Sequence, residues 1–222
     1  MWKSILYKEW LKLRWIILIS TALGIMAVGS LFLNVQHDFL FMGAMTYWYN
    51  TLFLGVQYFH LLKYVPLVIG IAIGVAQYFP ETVNKRIKLS FHLPINENKI
   101  LLLMMLCGTT TLLVSFGSMF LLFWGLSAHF FPQEIVYGAI VSVTPWFLSG
   151  FVIYFFISLI VMEPVWKYWI LYGLIGYAFI GLYLEPSTTG GYEPVVLKFA
   201  LLTVLLSLSS LFSAYRFRKG EM

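Results

Sequence analysis

The sequence predicts an all-α membrane protein that crosses the bilayer several times. Three observations predict it. Of 222 residues, 61% are hydrophobic and only 10% charged, where soluble domains carry roughly 25% charged residues. The apolar residues fall in segments long enough to cross a bilayer as helices. Of the 14 Lys and Arg residues, most cluster between or beyond those segments, as the positive-inside rule requires. The net charge of +5 is therefore a topology signal and does not point to nucleic acid.

The N-terminal stretch 2–13, WKSILYKEWLKL, reads as an amphipathic helix. Trp2, Leu6, Trp10 and Leu13 share a face, while Lys8 and Lys12 lie elsewhere with Glu9. Trp and Leu on one side of a basic helix suit a membrane surface. No small-residue cleavage site follows a short apolar core, so a cleavable signal peptide is not expected. Six spans are expected at about 15–33, 61–79, 100–126, 135–161, 166–184 and 195–215. Residues 39–59 carry no charge, but a crossing there would put the basic stretch 85–99 outside, against the charge rule. They are expected at the outer interface instead, either re-entrant or extending the second span. Pro145 is an expected kink in the fourth span.

This layout puts twelve Lys and Arg residues inside and two, Lys63 and Lys198, outside. Both termini and residues 80–98 are then cytoplasmic and 185–194 face outward. Gly70 and Gly74 permit close helix approach. Thr203, Ser207, Ser210 and Ser213 form a polar stripe on the last span that suits helix packing.

The main break in hydrophobicity is 77–99, QYFPETVNKRIKLSFHLPINENK. Pro80 suits a first helical position, and Glu81 would then oppose the helix dipole in the first turn. Val83, Ile87 and Phe91 share one face of such a helix, and Lys85, Lys88 and His92 another. Pro94 prevents simple continuation, and Asn96 is a candidate cap for the next helix. Read without this motif, the stretch is a basic loop that only sets topology.

No catalytic or nucleotide-binding constellation is legible. There is no GxxxxGK[ST] loop, no HExxH or paired-cysteine metal motif and no GxSxG nucleophile. His37, His60, His92 and His129 are scattered. Cys107 is the single cysteine, so an intrachain disulfide is impossible. No carboxylate is expected mid-span, where a coupled transporter would often keep one. An enzyme is not expected from this chain by itself.

The order of parts resembles the permease subunit of an ATP-binding-cassette exporter of the ABC-2 type. The matching residues are Glu81, then the basic run Lys85, Arg86 and Lys88, then Leu93-Pro94 before the third span. The resemblance implies that 80–98 is a cytoplasmic coupling segment docking on a separate ATPase. Val83, Ile87 and Phe91 would be its apolar anchor, and Lys85, Arg86 and Lys88 would steer docking or hold lipid headgroups. Glu81 would cap the helix or pair with the N-terminal surface helix. The implied partners are two copies of the ATPase, which bind ATP and magnesium, and a second permease chain, identical or homologous. Gly70, Gly74 and Ser207 are the expected packing positions. The implied location is the bacterial inner membrane. Short outer loops favour a hydrophobic or amphiphilic cargo. The rival readings are a secondary transporter, a structural or sensory subunit, and an intramembrane enzyme.

Overall fold

The computed structural model describes residues 2–83, 97–163, 165–185 and 189–219. It is all-helical among these residues: α1 Trp2–Met42, α2 Ala44–Phe53, a 3₁₀ turn His60–Lys63, α3 Val65–Val83, α4 Glu97–Phe130, α5 Gln133–Met162, α6 Trp166–Tyr183 and α7 Val196–Lys219. Among the described residues, four helices are long and apolar enough to cross a membrane: α1, the 3₁₀ turn with α3, α4 and α5. The predicted fifth and sixth segments fall on α6 and α7. Lys167 and the tyrosines and tryptophans of α6 lower its hydropathy, and among the described residues the apolar stretch of α7 is Val196–Leu208.

The predicted boundary between a surface helix at 2–13 and a span at 15–33 is absent. α1 is one helix of 41 residues, about 62 Å long at 1.5 Å per residue, twice a hydrocarbon core of roughly 30 Å. The physical reason is local. No Gly or Pro interrupts residues 2–23, and Glu9 and Lys12 turn inward to partners on α3 rather than lying flat on a surface. The helix ends where Gly43 takes a positive φ of 78°. α2 then turns back with only 10 residues, about 15 Å and too short to cross. Residues 39–59 therefore make no span of their own. Trp48 on α2 donates to the Phe130 carbonyl at 3.2 Å, which fixes α2 against the end of α4.

α1 and α4 run parallel, as the side-chain pairs Phe32–Phe123 and Phe39–Phe130 require. α3 and α5 run parallel to each other and antiparallel to α1 and α4. Their contact is close because it is built on glycine. A Cβ on Gly70 would collide with the Gly150 carbonyl, and one on Gly74 would lie 2.9 Å from Ile157. α5 continues through Pro145, which is buried within it. The end of the bundle near Gly43 is filled with aromatic rings, including Phe32, Tyr58, Phe123 and Phe131. The other end holds the ion-paired groups Lys8, Glu9, Lys12 and Glu81.

Candidate functional site

The charged end is assembled from residues one helical turn apart on two helices. On α1, Lys8 and Lys12 stack at i and i+4, and Glu9 lies one residue on from Lys8. On α3, Gln77 and Glu81 stack in the same way. The antiparallel crossing brings these rows together. Lys8 Nζ lies 2.9 Å from Glu81 Oε1, and Lys12 Nζ lies 2.9 Å from the same oxygen. Lys12 also pairs with Glu9 Oε1 at 2.6 Å. Two carboxylates face two ammonium groups, so the four side chains balance.

The cluster continues inward through hydrogen bonds. Gln77 Nε2 donates to Glu9 Oε2 at 3.0 Å and to the Met104 carbonyl of α4 at 2.6 Å. Tyr154 of α5 donates to Gln77 Oε1 at 2.8 Å, and its hydroxyl lies 3.1 Å from that of Tyr78. α4 makes room for this meeting at Gly108, where a Cβ would collide with the Tyr154 hydroxyl and the Gln77 amide oxygen. Four helices thus meet on one polar chain running from Lys8 to Tyr78.

Burial decides how strong these contacts are. Glu9 and Glu81 are each 1% exposed and Gln77 is 0% exposed. The Lys12 side chain is 16% exposed, while that of Lys8 is 41% exposed and reaches water. A buried carboxylate without a counter-charge costs several kcal/mol, so each of these acids is held only because a lysine meets it. Glu81 has a second need for cations. It lies in the last turn of α3, where the helix dipole repels a negative charge.

That position corrects a sequence expectation. Pro80 does not open a new helix, because α3 continues through it to Val83. Near a helix end, the proline forfeits only the one backbone bond its missing N–H would have made, to Ala76. Glu81 consequently does not cap a following helix. Among the two roles weighed for it, pairing with the N-terminal segment is the one observed. Val83 is the last residue of α3. Lys85, Arg86, Ile87, Lys88, Phe91, Leu93 and Pro94 lie outside the described residues.

Gly70 and Gly74 do make close helix contacts, but with α5 of the same chain. Ile157 and Tyr154 fill the space beside Gly74 that a second chain would need. A Gly74→Leu change therefore tests this chain's own packing rather than its assembly. Ser207 is half-buried on α7 and donates to the Val204 carbonyl at 2.6 Å. Thr203, one turn earlier, meets the Tyr183 hydroxyl at 3.0 Å, which ties α7 to α6.

Sequence reasoning missed Glu9, Gln77, Tyr78, Gly108 and Tyr154 as members of one site. It expected no carboxylate within the spans, and among the described residues Glu9, Glu81 and Glu163 are buried. The available signal was Glu9 between Lys8 and Lys12 in an otherwise apolar helix, since an ionisable residue near a membrane segment needs a named partner. Tyr154 and Gly108 gave no such signal, because Tyr and Gly are ordinary in membrane helices. The chain matches no protein-family model, no curated protein and no solved structure.

Proposed function

We propose that this chain is the permease subunit of an ABC-2-type exporter, forming half of a translocation pathway driven by two copies of a separate ATPase. In this reading there are six spans, with α6 and α7 as the last two. Both termini and residues 80–98 are cytoplasmic. The second half of the pathway is another permease chain. The observation that carries the reading is the pairing of Glu81 with Lys8 and Lys12. It joins the N-terminal segment to the root of the basic stretch, so a push on that stretch is delivered to α1 and α3 together. A loop that served only topology would have no need of a buried link at its base.

The test is co-purification with the proposed partner ATPase, sought first among the products of genes neighbouring this one. Ile87→Asp and Phe91→Asp each place a carboxylate in the proposed apolar anchor. An unpaired buried charge there costs enough to dissociate a micromolar contact. Both variants should insert normally and lose the ATPase, while Lys88→Ala should keep it. Full ATPase binding and stimulated hydrolysis in both Asp variants would remove the docking reading.

A second reading, a secondary transporter, gains from the buried carboxylates Glu9, Glu81 and Glu163. It is the weaker one, because Glu9 and Glu81 are already matched by lysines at one end of the bundle and Glu163 lies at the end of α5 rather than within it. Substrate movement driven by a proton or sodium gradient in proteoliposomes lacking any ATPase would put it first.

A further inference from the structure

The end of the bundle opposite the ion-pair cluster holds a cavity of about 330 Å³. It lies between the last turns of α1, the short α2 and the residues leading into the 3₁₀ turn. Asp38 is 26 residues beyond Lys12, about 39 Å along the helix. That exceeds a hydrocarbon core of roughly 30 Å, so the cavity and the cluster lie at opposite membrane boundaries. The two polar ends of α1 are therefore separate sites.

The sequence builds this cavity in three steps. The positive φ of Gly43 reverses the chain after α1, and Gly55, with φ 69°, turns it again after α2. The i, i+4 spacing of α1 places Asn34 and Asp38 together on the side that α2 covers. Asn50 of α2 and Gln57 of the connection face them across the cavity. Its floor includes the rings of Tyr47 and Tyr58, both buried. Asp38 is the single carboxylate of the lining, and no Lys or Arg lines it. Among the described residues the nearest ionic partner of Asp38 is His37, at a long 3.8 Å. The carboxylate acts on the cavity floor: the Tyr47 phenol is pushed up to about 12, first by burial and then by the charge of Asp38.

We propose that this cavity binds an organic ammonium group carried on a compact apolar or aromatic body. Asp38 supplies the opposite charge. The amide oxygens of Asn34, Asn50 and Gln57 accept N–H bonds from the ammonium. The Tyr47 ring and the apolar side chains of Leu31, Val35 and Val56 line the space for the apolar body. A few polar groups converging over an apolar floor is the usual form of a small-molecule site. An anion finds no fixed counter-charge there. The inference stands on the cavity alone and does not depend on the exporter reading.

The probe is phenethylammonium, titrated calorimetrically into the full chain in neutral maltoside micelles, with empty micelles as the blank. Saturable one-to-one binding is expected. Asp38→Asn, which keeps shape and removes charge, should weaken it at least about tenfold. Asn34→Trp changes an exposed rim residue and should also weaken it by filling the space. The anionic analogue phenethyl sulfate should give no saturable heat. Thermal midpoints of both variants close to the parent's show that the fold is intact. Added phosphatidylethanolamine separates two sources of the same chemistry. Competition with the probe means that a lipid headgroup is the occupant, and no competition means a free amine. Absence of saturable binding to the parent chain would overturn the proposal. So would equal affinity of the folded Asp38→Asn protein, or binding of the sulfate as tight as that of the amine.

Discussion

Removing the carboxylate of Glu81 should cost less than removing the ammonium of Lys12, and removing both should cost less than the sum. Glu81→Gln leaves Lys12 paired with Glu9 at 2.6 Å. It leaves Lys8, already 41% exposed, free to extend into water, where an ion pair contributes at most about 1 kcal/mol. The expected cost is therefore about 2 kcal/mol, below the 3–5 kcal/mol typical of a broken buried pair. Lys12→Met removes the lysine that meets both acids. Glu81 keeps Lys8, but Glu9 keeps only the neutral Gln77 amide. The cost should reach about 3–5 kcal/mol, because a buried carboxylate is left without a counter-ion. The double variant restores the net charge of the site, and it loses the Lys12–Glu81 contact once where the two single variants each lose it. Its loss should fall short of the summed single losses by at least about 1 kcal/mol, the coupling expected of residues in one network. The assay is reversible unfolding of the purified chain in mixed detergent micelles, read by helix signal. Strictly additive losses would show that Lys12 and Glu81 act independently and would refute the network.

Further outcomes follow from the same geometry. Gly108→Ala should destabilise by about 1–3 kcal/mol through overpacking, whereas Gly117→Ala, with open space around it, should not lower the unfolding midpoint. Tyr154→Phe strands the Gln77 amide oxygen and should cost about 1–3 kcal/mol, seen as a lower midpoint with unchanged helix content. Trp48→Phe loses one bond to the Phe130 carbonyl, worth about 1 kcal/mol, and should speed protease cleavage in the 54–59 connection. Single cysteines at Asn84 and Thr188 in a Cys107→Ser background should label from opposite sides of the membrane with an impermeant thiol reagent. Labelling from one side would end the six-span reading.

The helices were legible because bilayer physics writes them in composition, and the core of each expected segment lies within an observed helix. Segment ends were less legible. α1 overruns its expected span because nothing between Trp2 and Gly43 obliges a helix to stop. α3 overruns Phe79 because a proline near a helix end costs little. The ionic part of the site was half legible. Glu81 and the two lysines stand out by charge, and one of two roles weighed for Glu81 was their pairing. Gln77 and Tyr154 do not stand out, because their partnership exists only once α3 and α5 approach across Gly70 and Gly150. That approach is a property of two glycines 80 residues apart, and no local pattern announces it.

The two ends of α1 are built from different chemistry, and this bears on what the helix can transmit. At the charged end, α1 is bound to α3 by short ionic contacts to the buried Glu81. Such contacts are directional and lose most of their strength when one partner leaves, so this end behaves as a clamp that is either closed or broken. At the other end, α1 meets α4 through rings such as Phe32 against Phe130, with centroids 5.8 Å apart. Ring contacts are not directional in this way, because their attraction is spread over many atoms. In the exporter reading, a force entering at the root of the basic stretch would act on α1 and α3 together, and on α4 through the Gln77 bond to the Met104 carbonyl. The cavity beside Asp38 is walled by the aromatic end of α1 and by α2, which α4 holds through Trp48. Its width is therefore the dimension most exposed to any displacement of α1 along α4.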